Sequence, residues 1–242
     1  GDRVILILDD TPACPAAFFG AMRAGFVPVV INTLTPPDLL RFYLQDTEAR
    51  IAISEAEVAV TFNKGVVTGT QLEKLVIVNG KGTNSCEAIT EQEFLASGED
   101  NLAVVSTSPD EMAFWLYSSG TTGRPKGIVH LHHDMAYTVA SYADNILKLT
   151  PDDICYSVPK IFFAYGLGNS LTFPFSAGAC CVLVSGQPRP ERVLDVIQTY
   201  RPTVFFGLPT LYTALARAAG GPGVARVWPS TVWPQSNGDR TP

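Results

Sequence analysis

Between residues 2 and 54 the chain alternates between two periods, and that alternation restricts the fold more than any other feature. Asp2 to Leu8 is a short apolar run that reads as a strand. Thr11 and Pro12 open a helix carrying Phe18, Phe19 and Met22, and Gly25 ends it before a second strand, Val27 to Ile31. Thr35 is then expected as N-cap with Pro36 at the first helical position, and Leu39, Leu40, Tyr43 and Leu44 fall on one helix face. Arg50 to Ser54 is a third strand. Strands joined by helices at this spacing predict an α/β fold, with parallel sheets flanked by helices and strands buried on both faces.

From Glu55 to Pro109 the pattern loosens, and only Leu75 to Val78 reads as a strand among turn signals such as Asn79-Gly80-Lys81-Gly82. Glu91, Glu93, Glu99 and Asp100 are read as a solvated face rather than a metal site.

A second apolar run, Met112 to Leu116, empties into Tyr117-Ser118-Ser119-Gly120-Thr121-Thr122-Gly123-Arg124-Pro125-Lys126-Gly127. Glycines that let an anion approach the backbone, four hydroxyl donors and a lysine make an anion cradle. It is not a Walker loop, because Lys126 sits between Pro125 and Gly127 rather than before Ser or Thr. Nor is it a dinucleotide fingerprint, since Gly120 and Gly123 lack the G-x-G start and Gly166-Leu167-Gly168 lacks the third glycine. On composition alone an ordinary Ser/Gly-rich surface turn remains open.

Downstream, Gly127 to His130 reads as a strand and Leu131 to Leu147 as one helix. His130, His132 and His133 fall at their junction, as a polar helix start rather than a zinc site, because no further ligand cluster accompanies them. Asp152 to Val158 and Ala179 to Val184 are expected strands. Arg189 to Tyr200 is an expected covering helix with Val193, Val196, Ile197 and Tyr200 as its buried stripe. The segment between Pro159 and Gly168 is rich in aromatic residues and glycine, and it reads equally as a core helix start or as a flat slot for an aromatic ring. From Gly220 onward, Gly221-Pro222-Gly223 and prolines 229, 234 and 242 defeat both periodicities, predicting an irregular tail.

A chain of 242 residues, 46% hydrophobic, is long enough for a substantial core. A formal charge of −6 without a basic cluster argues against nucleic acid as partner. No apolar run reaches the roughly eighteen residues of a membrane span, and the first residues read as a strand rather than a signal peptide, so a cytoplasmic protein without a membrane partner is expected. Cys14, Cys86, Cys155, Cys180 and Cys181 lack C-x-x-C spacing and are expected as buried reduced thiols, with Cys180 and Cys181 facing opposite sides of a strand.

The string from Tyr117 to Gly127 resembles, at every position, the signature loop of the adenylate-forming superfamily of acyl-CoA synthetases, aryl-CoA ligases, luciferases and peptide-synthetase adenylation domains. Ala24-Gly25-Phe26-Val27-Pro28-Val29 is similar to a stretch upstream of that loop. The resemblance implies that Ser118, Ser119, Gly120, Thr121, Thr122, Gly123 and Lys126 wrap the phosphates of ATP, with Lys126 the candidate catalytic residue. In the family's acyl-pocket segment Phe163 stands where many members carry histidine. Phe162-Phe163-Ala164-Tyr165-Gly166-Leu167-Gly168 and Thr203 to Tyr212 resemble benzoate-CoA ligases instead.

Phe163, Ala164, Tyr165 and Gly166 are therefore implied substrate-binding residues, and an aromatic carboxylate, ATP, Mg²⁺ and coenzyme A the implied reactants. Hydroxybenzoate, aminobenzoate or a short-chain acid are alternative substrates, and a non-catalytic phosphate- or ligand-binding piece is the alternative function. Residues 1–219 correspond to part of the family's N-terminal domain, with 220–242 as an irregular and non-native tail. The family's adenine, ribose and magnesium segments and its C-terminal domain with a second lysine have no counterpart here, so the chain alone is expected to be inactive.

Overall fold

A computed structural model describes residues 1–80, 87–99, 101–119 and 124–218. The chain divides into two compact units, Gly1–Asp134 and Met135–Pro242.

In the first unit β1 (Arg3–Ile7) lies at the centre of the sheet, and Ile5, Leu6 and Ile7 are fully buried. Both faces of a central parallel strand meet helices, which is why this run is apolar without alternation. Helix α1 (Ala13–Arg23) leads to β2 (Val27–Val30), with Gly25 at φ +79° making the left-handed turn between them. Helix α2 (Pro37–Thr47) leads to β3 (Ile51–Glu55). The expected cap at Thr35 is displaced by one residue: Pro36 is the extended N-cap and Pro37 opens the helix. A residue preceding proline is pushed out of the helical region, so Pro36 cannot be the first helical residue.

Two single-turn helices, α3 (Ala56–Ala59) and α4 (Lys64–Val67), precede β4 (Lys74–Val78). The loose region then holds more than expected, since β5 (Glu87–Thr90) and α5 (Glu91–Ala96) follow. Thr90 and Glu93 form a reciprocal capping box, placing two of the predicted surface carboxylates in the first turn of a helix. Asp100 and Asn79-to-Gly82's last two residues lie outside the described residues.

The unit ends in a hairpin of β6 (Met112–Ser118) and β7 (Lys126–Leu131). Strand order is β5-β4-β3-β1-β2-β6-β7, parallel throughout except for the antiparallel β6/β7 pair. Alternation along β6 sends Trp115 and Tyr117 to the core under α2, with Ile5, Ile7, Leu40, Tyr43, Leu44 and Ile77. Phe114, on the other face, meets Phe18 of α1 with ring centroids 5.4 Å apart.

Helix α6 (His132–Thr138) spans the boundary between the units. The expected single helix to Leu147 changes winding, because Val139–Leu147 is π-helical. It ends at Lys148, whose left-handed backbone donates to Ala143 O at 2.7 Å. The apolar spacing that marks a helix does not separate 3.6 residues per turn from the wider π winding.

The second unit is built on β8 (Ile154–Ser157), followed by α7 (Ala164–Leu167), a buried π-helical stretch Gly168–Thr172, α8 (Phe173–Ser176) and β9 (Cys180–Val182). Helix α9 (Pro190–Tyr200), β10 (Val204–Phe206) and α10 (Pro209–Ala218) complete it, and the parallel sheet has order β10-β8-β9. Strands β8 and β9 are shorter than expected. Asp153 is a turn residue instead, its carboxylate accepting from Thr150 N at 2.8 Å and from Thr203 Oγ1 at 2.7 Å.

One sheet face packs Tyr156, Val158 and Phe205 against Val193, Val196, Ile197 and Leu215; the other holds Cys155 and Phe206 with Leu147, Tyr142 and Phe173. Tyr200 drops out of the expected stripe, 55% exposed, because it is the last residue of α9 before Arg201 turns left-handed. Cys14 and Cys155 are buried free thiols as expected, whereas Cys180 is exposed on the short edge strand β9. Cys86 and the expected irregular tail from Gly220 lie outside the described residues.

Candidate functional site

Strand β6 runs parallel to β2, with Val29 opposite Trp115 and Val30 opposite Leu116, so its end lies at the carboxyl edge of the parallel sheet. Loops at that edge are where open α/β sheets take ligands. The chain leaves the sheet at Ser118 and returns at Lys126, which stand opposite each other in register. Of the sequence-predicted loop residues, Ser118, Ser119 and Lys126 are placed at this mouth and all three are exposed. Gly120, Thr121, Thr122 and Gly123 lie outside the described residues.

The stem of the hairpin is held on both sides. Tyr117 packs on Tyr43 of α2 at 4.3 Å between centroids, and its hydroxyl donates to Asp46 Oδ2 at 2.5 Å. Burial, and then the Asp46 carboxylate, hold the Tyr117 phenol well above its ordinary range, so it stays a neutral donor. Opposite it, Gly127 carries no side chain, where a Cβ would sit 3.3 Å from the Trp115 ring and 3.5 Å from the Tyr117 ring. Glycine lets the two strands close over these aromatics and brings Lys126 level with Ser118.

The three histidines belong to the stem and to the start of α6. His130 stacks on Phe114 at 4.6 Å, and its Nδ1 is 3.4 Å from Asp134. His133 lies 3.1 Å from both Asp110 and Asp134, while Asp134 accepts from Leu131 N. This is the polar helix start expected from the sequence. Among the described residues no group of three His, Cys, Asp or Glu side chains could hold a metal ion.

Sequence reading missed an acidic group at the same sheet edge. Glu55, at the end of β3, accepts from Asp9 N at 3.3 Å and from Asn79 Nδ2 at 3.4 Å, and Asp10 is buried beside them. Burial, and the charges of Asp9 and Glu57, raise the Glu55 pKa. These residues stand beside β1, where the connections leave the sheet in opposite directions.

In the second unit Phe163 is the N-cap of α7 and is 55% exposed; Tyr165 is 46% exposed, Ala164 is exposed and Gly166 is buried. Tyr165 meets Phe206 edge-on at 6.4 Å, at the carboxyl end of β10. The Phe162 and Phe163 rings are 4.8 Å apart, and Ala164 beside them is small and exposed. A Cβ on Gly166 would lie 2.0 Å from Lys160 O, so only glycine allows this turn. At Gly207 a Cβ would lie 3.0 Å from the Tyr212 ring, so a second glycine lets that ring close over the end of β10. The segment is a helix start, with Ile161, Gly166 and Leu167 buried, and it also leaves the side chains of Phe163 and Tyr165 exposed on the carboxyl side of a parallel sheet.

The AMP-binding enzyme family matches residues 1–230, and the chain belongs to that family. Its fold is that of the N-terminal domain of adenylate-forming enzymes. A benzoate-CoA ligase of Thauera aromatica is 40% identical over 88% of this chain, and a 4-hydroxybenzoate-CoA/benzoate-CoA ligase of Rhodopseudomonas palustris is 35% identical over 88%. The solved structure of a benzoate CoA ligase from Burkholderia xenovorans LB400 superposes with a TM-score of 0.80 at 34% identity, covering 91% of this chain and 42% of that one. The anthranilate CoA ligase AuaEII, solved with anthranoyl-AMP, gives 0.82 at 32% identity, covering 88% and 41%. The chain spans about 40% of the length of the curated relatives it matches.

Proposed function

We propose that this chain is part of an AMP-forming ligase that activates an aromatic carboxylate, benzoate or a substituted benzoate, for transfer to coenzyme A. The observation that carries the reading is the β6/β7 hairpin, which sets Lys126 opposite Ser118 at the carboxyl edge of the sheet. The names of the relatives support the substrate class.

In the first step a carboxylate oxygen attacks the α-phosphorus of ATP, the bond to the β-phosphate oxygen breaks, and pyrophosphate leaves. The thiol of coenzyme A then takes the acyl group and AMP departs. Negative charge accumulates on the departing pyrophosphate, where Lys126 and the hydroxyls of Ser118 and Ser119 at the hairpin mouth, joined by those of Thr121 and Thr122, would serve as donors. Phe163, Ala164, Tyr165 and Gly166 form the surface for the aromatic ring. Mg²⁺ would neutralise phosphate charge when bound, held by one or two carboxylates together with phosphate oxygens and water; among the described residues no group of three His, Cys, Asp or Glu side chains could hold it. The protein works where ATP and coenzyme A are found, in the cytoplasm, and among the described residues no helix is long and apolar enough to cross a membrane.

A chimera carrying residues 1–218 in place of the matching segment of the Thauera aromatica relative tests this reading, while the 242-residue chain alone is expected to be inactive. The chimera should catalyse benzoate-dependent ATP-pyrophosphate exchange, and Lys126→Ala should slow it by roughly 10- to 100-fold, the equivalent of one charge-assisted hydrogen bond. Wild-type exchange in that variant would refute the phosphate assignment. Benzoate should exceed hexanoate in kcat/KM, and Ala164→Leu should shrink that preference by placing bulk beside the rings. A preference for hexanoate refutes the aromatic substrate and leaves the phosphate assignment standing.

A further inference from the structure

Asn169 is fully buried, and neither its Nδ2 nor its Oδ1 has a hydrogen-bond partner among the described residues. Buried amides are nearly always paired, so an amide with both ends unmet signals a missing partner. The residue lies in the π-helical stretch Gly168–Thr172, a winding that is rare and recurs at functional sites. Its position in the second unit is defined by two neighbours. Asn169 follows Tyr165 by four residues, on the same side of the helix one turn further in, and Tyr165 meets Phe206 at the end of β10. Beyond it Phe173 packs so closely on the stretch that a Cβ at Gly168 would come within 2.7 Å of its ring, and Phe173 meets Tyr142 at 5.4 Å. Asn169 thus stands one turn inward of Tyr165, in a wholly buried stretch that also contains Ser170 and Thr172.

We propose that Asn169 is the specificity-determining residue of the aromatic site, its carboxamide hydrogen-bonding a hydroxyl carried on the ring of the substrate. The inference rests on the aromatic-acid reading above and narrows it to ring-hydroxylated benzoates. A phenolic hydroxyl both donates and accepts, so it can meet either end of the amide, whereas benzoate offers only C–H to both. A site that leaves a buried polar group unpaired with one substrate and pairs it with another discriminates strongly between them.

The test uses the same chimera, comparing kcat/KM for the three monohydroxybenzoates and benzoate. At least one hydroxybenzoate should exceed benzoate by roughly tenfold or more, and Asn169→Leu, similar in volume but apolar, should bring that ratio close to one. Should Asn169→Leu fail to fold, Asn169→Ser decides, since it withdraws the amide from the ring but keeps a small polar group; the ratio should fall in it too. A wild-type chimera that prefers benzoate to every hydroxybenzoate, or an unchanged ratio in the folded variant, overturns the role of Asn169 and leaves the aromatic-acid reading intact. A chimera that activates hexanoate but no aromatic acid overturns both.

Discussion

The hydroxyl of Tyr117 donates to the carboxylate of Asp46, tying the last turn of α2 to the strand residue immediately before Ser118. This bond fixes where the hairpin leaves the sheet. Tyr117→Phe keeps the ring packed on Tyr43 and removes only the bond. Because Asp46 is exposed, the expected loss is about 0.5–1 kcal/mol, or a few degrees in Tm. In the chimera the same change should raise KM for ATP, read from exchange kinetics; an unaltered KM would mean that the stem does not position the loop.

Gly166 has a more severe constraint. Gly166→Ala places a methyl group against the Lys160 and Pro159 carbonyls, both fixed backbone, and should cost about 1–3 kcal/mol or more. Urea unfolding followed by far-UV circular dichroism measures it. Stability equal to wild type would mean that the turn from Lys160 to Gly166 relaxes freely.

Glu55 supplies a pH dependence of definite sign. Its folded pKa is raised above the ordinary carboxylate value of about 4.3, so the folded state holds the proton more tightly than the unfolded chain. That contribution is present below the unfolded pKa and is lost as pH rises through the folded one. Glu55→Gln should therefore gain in Tm relative to wild type between pH 4 and pH 7. The gain is checked by calorimetry at both pH values, and a difference that stays constant with pH would contradict the assignment.

The thiols should separate by reactivity. Burial, then Asp153 and the neighbouring cysteines, push the Cys155 thiol up to about 12, and Cys14 is raised further by burial and by Asp10, Glu55 and Asp9. Thiolate is the reactive form. At pH 8 an alkylating reagent should modify exposed Cys180 well before Cys14 or Cys155, as peptide mapping by mass spectrometry would reveal. Equal labelling of Cys155 and Cys180 in the native chain would contradict the packing of β8.

Much of this architecture was legible because local and tertiary preferences coincide. The apolar run of β1 and the face formed by Leu40, Tyr43 and Leu44 appear in the structure as the sequence pattern predicts. The strands on either side of the Ser118–Lys126 loop were legible as apolar runs, but their antiparallel pairing was not, because nothing in a strand's own pattern names its partner. The errors have physical causes. Consecutive prolines moved the cap from Thr35 to Pro36, and Tyr200 sits too close to the helix end to be covered. Strand β5 is only four residues long and gives little periodicity. Helix α5 had a readable signal in the spacing of Thr90 and Glu93, which form the capping box. Asn169 could not be singled out from sequence, because an asparagine has no visible missing partner until its surroundings are known.

The pairing of Val29 with Trp115 also constrains the order of assembly. Strands β1, β2 and β3 need only short crossovers to meet, whereas the chain must return from β5 at the far edge past β4, β3, β1 and β2 before β6 pairs with β2. Closing a longer loop adds only about 0.6 kcal/mol per doubling, but non-local parallel pairing slows folding. The nucleotide loop is thus completed by a late event, after the central strands have formed. Pulse-labelled hydrogen exchange should find amides of β1 and β3 protected before those of β6. On the proposed reading, a nucleotide could then capture only a chain whose core already exists.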